Sequence, residues 1–164
     1  MTRLIGGLDR LVAVILSGGK WLLLPLLLLL LLQWPLRDIV RSWSREANDL
    51  GQWLFALYVA MAFTAATRAH THLAADALAR HYPVRTRALL ARLGALLGLV
   101  PWALFVIIGG ANLVISSVRA LEAFADTYNP GYFIIKLALW LLAGLILAQA
   151  LIDIARPRAG APDA

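Results

Sequence analysis

The chain has 164 residues, 62% hydrophobic and 15% charged, whereas a soluble domain is about 45–50% apolar and about 25% charged. That composition excludes an ordinary water-soluble globule and a disordered polymer, and the lack of cysteine excludes disulfides, thiolate metal sites and a Cys nucleophile. Lys+Arg 15 against Asp+Glu 9 gives a net charge of +6, which in so apolar a chain reads as basic loops of a membrane protein rather than a nucleic-acid surface.

A helix needs about 20 mostly apolar residues to cross about 30 Å of hydrocarbon. The uncharged gaps of the sequence, taken in order, predict four spans at about 20–40, 50–69, 89–118 and 130–154. They are continuous apolar runs, not the alternating segments of a membrane barrel. The predicted fold is therefore an all-α membrane protein forming a single integral membrane domain over residues 1–164.

Residues 8–16 are too short to span and read as an interfacial lead-in or an extension of the first helix. The first span, almost pure leucine over 22–32, runs into Gln33-Trp34-Pro35-Leu36-Arg37. That is not a small-x-small cleavage site, so the span is expected to stay. The second span is rich in aromatics and carries a stripe of small residues, Ala56, Ala60 and Thr64. Between the second and third spans, His72, Asp76 and Arg80 recur at i, i+4, and Leu73, Ala77 and Leu78 cover the other side. This pattern predicts an amphipathic interfacial helix at about 71–82. The third span holds Gly94-x-x-x-Gly98, a helix-contact motif for this chain or a partner. Pro25 and Pro101 read as helix starts or kinks near span ends, and Asn129-Pro130 as a cap with Pro at the first position of the last helix. Lys136 is expected to snorkel towards the interface.

Lys and Arg number ten in the N-terminus, the central connection and the C-terminus, against five in the other two loops. The positive-inside rule then places both termini in the cytoplasm.

No phosphate loop, nucleophile elbow or zinc-protease motif is present, so no enzyme and no cofactor is expected. His70 and His72 would point to different faces of a helix, and with only His81 besides, no metal site is expected. Glu46 and Asp49, and Glu122 and Asp126, read as hydrated helix ends with Arg45 or Arg119 as partners. The middles of the spans read as free of ionisable residues, which suits a brace better than a pore.

The order of features resembles the small membrane subunit of tripartite ATP-independent periplasmic (TRAP) transporters, the DctQ-like family. The resemblance rests on Gln33 to Arg37 after the first helix, then Trp43 and Glu46, then the aromatic second helix. His72 with Asp76 four residues on, and Pro130 before the last helix, complete the set over roughly residues 20–155. Asp38 and Thr71 depart from it, where the family often has an aromatic and a Gly. The resemblance implies a scaffold in the bacterial inner membrane for a large DctM-like permease subunit that couples organic acid uptake to sodium. A periplasmic DctP-like binding protein would deliver the substrate. Arg37, Glu46, His72, Asp76, Gly94 and Gly98 are then candidates for structural or partner contacts. Two other readings compete: a membrane subunit of a redox or enzyme complex, and an autonomous small carrier. The first wants His or carboxylates inside the spans and the second wants inverted repeats.

Overall fold

The computed structural model describes residues 2–39, 45–69 and 82–155. Helices α1 (Thr2–Gly19) and α2 (Leu23–Asp38) are joined by a 3₁₀ turn at Lys20–Leu22. Then come α3 (Arg45–Arg68), α4 (Val84–Gly94), a π-helical turn at Ala95–Leu99, α5 (Val100–Gly109), α6 (Ala111–Arg119) and α7 (Tyr132–Ala155). Among the described residues there is no strand, only an isolated bridge between Ala123 and Pro130. The chain is all-α, and four helical stretches are long and apolar enough to cross a membrane: Arg3–Pro35, Arg45–Arg68, Ala88–Gly109 and Tyr132–Ala155. The interfacial helix expected at about 71–82 falls, but for Tyr82, outside the described residues.

Helix α7 is the centre of the bundle. It packs most extensively on α3, then on α5, and also meets α1, α6 and the π turn. Ala143 and Ala150 are fully buried on it. Lipid tails are as apolar as leucine, so association depends on close backbone approach, and small side chains permit that. Ala60 and Thr64 of the small-residue stripe on α3 are buried likewise.

The first helical stretch starts well before Lys20. Residues 8–16 continue the first helix, and Val12 and Leu16 close a core cluster with Leu145 and Ile152 of α7. At Gly19 an added Cβ would stand 2.6 Å from Met61 Sδ, so glycine lets the helix lie directly on α3. These contacts set an antiparallel register in which Asp9 lies level with Arg68, and Gly19 with Met61. Lys20 is thereby placed beside the interior of α3, not at a span end.

The third stretch is broken rather than continuous. Pro101 lies within it, where its missing N–H and its ring disturb the helix ladder. The preceding turn widens to π geometry, with the Val100 N–H reaching back to the Ala95 carbonyl. The helix therefore passes Pro101 without stopping. It ends at Gly110, where a Cβ would stand 2.6 Å from the Val106 carbonyl oxygen, and α6 restarts from there.

Between α6 and α7 the chain folds back tightly. Leu121 and Tyr128 take positive φ (45° and 57°), and Gly131 takes φ 147°. Phe124 is buried edge-to-face on Tyr132, and Gly131, whose positive φ favours glycine, lies beside Phe124 and Trp53. The last helix starts at Tyr132 rather than at Pro130, because Pro130 is held in the bridge to Ala123.

Candidate functional site

Two polar clusters mark the ends of the bundle. At the Arg68 end, Arg68 Nη2 lies 2.6 Å from Asp9 Oδ1, and Nη1 donates to Gln149 Oε1 at 3.2 Å. Gln149 Nε2 donates in turn to Asp153 Oδ1 at 2.9 Å. Gln149 is fully buried and Asp153 nearly so. One guanidinium thus ties α1, α3 and α7 together. Its planar fork suits two acceptors at once. By position in the sequence Arg68 is simply one of the cations at the start of the central connection. The i,i+4 pair Gln149 and Asp153 near the end of an apolar helix was the available signal, since such groups need partners when buried. The hydroxyls of Thr64 and Thr67 donate to the carbonyls of Ala60 and Phe63 of their own helix, not between helices.

At the other end, the Glu122 carboxylate accepts from the Lys136 ammonium and from the Ser117 hydroxyl. Lys136 also lies 5.3 Å from the centre of the Tyr132 ring. These hydrogen bonds, that of Lys136 first and that of Ser117 second, hold the Glu122 carboxyl below its ordinary range. Glu122 is therefore paired with Lys136 rather than with Arg119, and Lys136 is anchored rather than simply snorkelling. Asp49 is buried and accepts from the Thr127 hydroxyl, which pins the fold-back of residues 120–131 to α3. The expectation of a hydrated end with Arg45 as partner does not hold for Asp49.

Of the six residues singled out in the sequence, Glu46, Gly94 and Gly98 are fully described. Arg37 lies in the last turn of α2, with its side chain outside the described set. Glu46 is exposed in the first turn of α3, where a carboxylate complements the helix dipole. His72 and Asp76 fall outside the described residues, as do His70 and His81. Gly94 and Gly98 are exposed, and an added Cβ at either would meet nothing within 4 Å. They therefore make no close helix contact among the described residues.

Among the described residues no group of three His, Asp or Glu could hold a metal ion. The polar groups cross-link helices at the two ends. Elsewhere the surface is large, apolar and outward-facing, with Leu97, Phe105 and Ile108 each at least 70% exposed.

A family model described as "Tripartite ATP-independent periplasmic transporters, DctQ component" matches residues 26–160. No curated protein and no solved structure matches the chain.

Proposed function

The chain belongs to the DctQ component family of tripartite ATP-independent periplasmic transporters, and from that premise we propose that it is the fixed scaffold of such a transporter. It braces a large, DctM-like permease subunit in the bacterial inner membrane. The large subunit carries sodium and an organic acid, and a DctP-like periplasmic protein delivers the substrate. Both termini face the cytoplasm, on the ten-to-five split of Lys and Arg between the two sides.

The observation that carries the reading is the pairing of internally satisfied polar clusters with unoccupied apolar faces. A scaffold needs a rigid interior and a surface that a partner can cover. The face through Gly94, Leu97, Gly98, Phe105 and Ile108 is the proposed contact with the large subunit, because its two glycines leave open space for a close helix. Arg37 and Glu46 are proposed to tie the start of the second span to the first span or to the partner. His72 and Asp76 are proposed contacts of the connection between the second and third spans.

The test is co-purification with the large subunit expressed from the same operon, followed by reconstitution. The pair, with its binding protein, accumulates organic acid under a sodium gradient. Liposomes holding this chain alone accumulate none. Uptake by the chain alone would overturn the scaffold reading. Alkaline-phosphatase activity in fusions after residues 80 or 160 would overturn the orientation.

A further inference from the structure

Lys20 stands apart from the other features of the bundle. It is exposed and lies in the 3₁₀ turn between α1 and α2, and its ammonium has no hydrogen bond or ion pair among the described residues. Its neighbour Gly19 rests on Met61. From Met61 to Arg68 the rise along α3 is about 10 Å at ~1.5 Å per residue. One leaflet contributes about 15 Å of hydrocarbon, so the Lys20 backbone lies within the leaflet at the Arg68 end. An ionisable residue at that depth is costly unless something meets its charge.

The surroundings of Lys20 indicate what meets it. It borders a half-open depression of about 240 Å³ between the first helix and α3, with Leu16, Leu23, Met61, Ala62 and Ala65 among its walls. The small side chains of Ala62 and Ala65 keep the depression open. Trp21 beside it is 71% exposed and leaves the depression open to the outside of the bundle. Helical side chains lean towards the helix N-terminus, which for Lys20 is the Arg68 end. Its four-carbon stem brings the ammonium from hydrocarbon depth towards the phosphates of that leaflet. A cation at the top of an apolar, half-open groove matches a molecule with an anionic head and a hydrocarbon tail.

The geometry points to an anionic phospholipid site, in which Lys20 holds the phosphate of the head group and the depression between the first helix and α3 takes an acyl chain. A basic residue between helices near a membrane surface is a recurring means of holding anionic head groups. A carboxylate on a partner helix is the other chemistry that could meet Lys20. The apolar groove continuing beside the cation favours the lipid, because a carboxylate alone would leave the groove unexplained.

The test is native mass spectrometry of the full-length chain, exchanged into vesicles of equal phosphatidylglycerol and phosphatidylcholine and then released from detergent. The wild type retains one phosphatidylglycerol, in roughly tenfold preference over phosphatidylcholine. Lys20→Gln loses that preference, and Lys20→Arg keeps it. Ala65→Phe fills the depression with the cation intact, and retention falls several-fold. Arg10→Gln removes an exposed cation of the same helix outside the depression and changes nothing. Circular dichroism checks folding, and Ala65→Phe decides the matter if Lys20→Gln does not fold. Equal retention by wild type and both variants overturns the proposal, as does equal loss in Arg10→Gln, which would mean diffuse charge attraction. Unchanged lipid retention in Lys20→Gln with lost co-purification of the large subunit overturns it in favour of a partner carboxylate.

Discussion

Gln149 is the junction of the polar network at the Arg68 end, and replacing it with Leu tests how that network holds three helices. Gln149→Leu keeps the side chain at similar volume, so packing against the neighbouring helices changes little. It removes the bond from Arg68 Nη1 at 3.2 Å and the bond to Asp153 Oδ1 at 2.9 Å. Both bonds involve a charged partner, and in soluble proteins such bonds are worth about 1.5–3 kcal/mol each. Within membranes, measured side-chain couplings are smaller, averaging about 0.6 and reaching about 1.7 kcal/mol, because the unfolded chain in lipid also finds partners. Arg68 keeps its ion pair with Asp9, so it is not orphaned. Asp153 loses a donor in a site that is only 9% exposed. The membrane range therefore sets the scale, and the expected loss is about 1–3 kcal/mol for the two bonds together. Equilibrium unfolding in detergent micelles, followed by helical circular dichroism, reads this directly. In a double-mutant cycle, Gln149→Leu and Asp153→Asn should be coupled by about 0.5–1.5 kcal/mol, since contacting partners are not additive. A loss below about 0.5 kcal/mol together with additive mutants would refute the reasoning. The network would then be a consequence of helix packing, not one of its causes.

Gly19→Val should destabilise the bundle by about 1–3 kcal/mol through overpacking against Met61, and Met61→Ala in the same chain should restore only part of the loss, because the Met61 Cβ, 2.9 Å from the added Cβ, remains. Thermal unfolding of the single and double variants checks this. Glu122 makes stability depend on pH. Its carboxyl titrates lower in the fold than the ordinary 4.5, so its contribution is complete above that value and fades as pH falls through the folded value. Acid titration of unfolding should show this slope in the wild type and a flatter one in Glu122→Gln. At Gly94 and Gly98 an added Cβ meets no described atom within 4 Å, so Gly94→Leu and Gly98→Leu should leave the melting of the chain nearly unchanged, while the yield of complex with the large subunit falls several-fold. Wild-type yield for both would remove that face from the proposed interface.

The sequence was most legible where the physics is local. An uncharged run long enough to cross hydrocarbon must be helical there, because no other open segment satisfies its own backbone in lipid. The second and last helices accordingly begin and end within a few residues of where charge spacing placed them. The ordered marks from Gln33 to Pro130 pointed to the DctQ family for the same reason, since they are read along the chain. What the sequence could not decide is which polar residues meet. Asp9 and Arg68, Asp49 and Thr127, and Ser117, Glu122 and Lys136 are distant in the chain or separated by a turn, and only the register of packed helices brings them together. The same register decides between the two readings of residues 8–16, making them an extension of the first helix packed on α7, and sets Gly19 against Met61 of α3. Nor does periodicity show that Gly94 and Gly98 face outward while Ala60 and Thr64 face inward. Both pairs are small residues four apart on apolar helices, and in lipid no hydrophobic difference between the two faces of a helix tells one from the other. Only the position of α7 does.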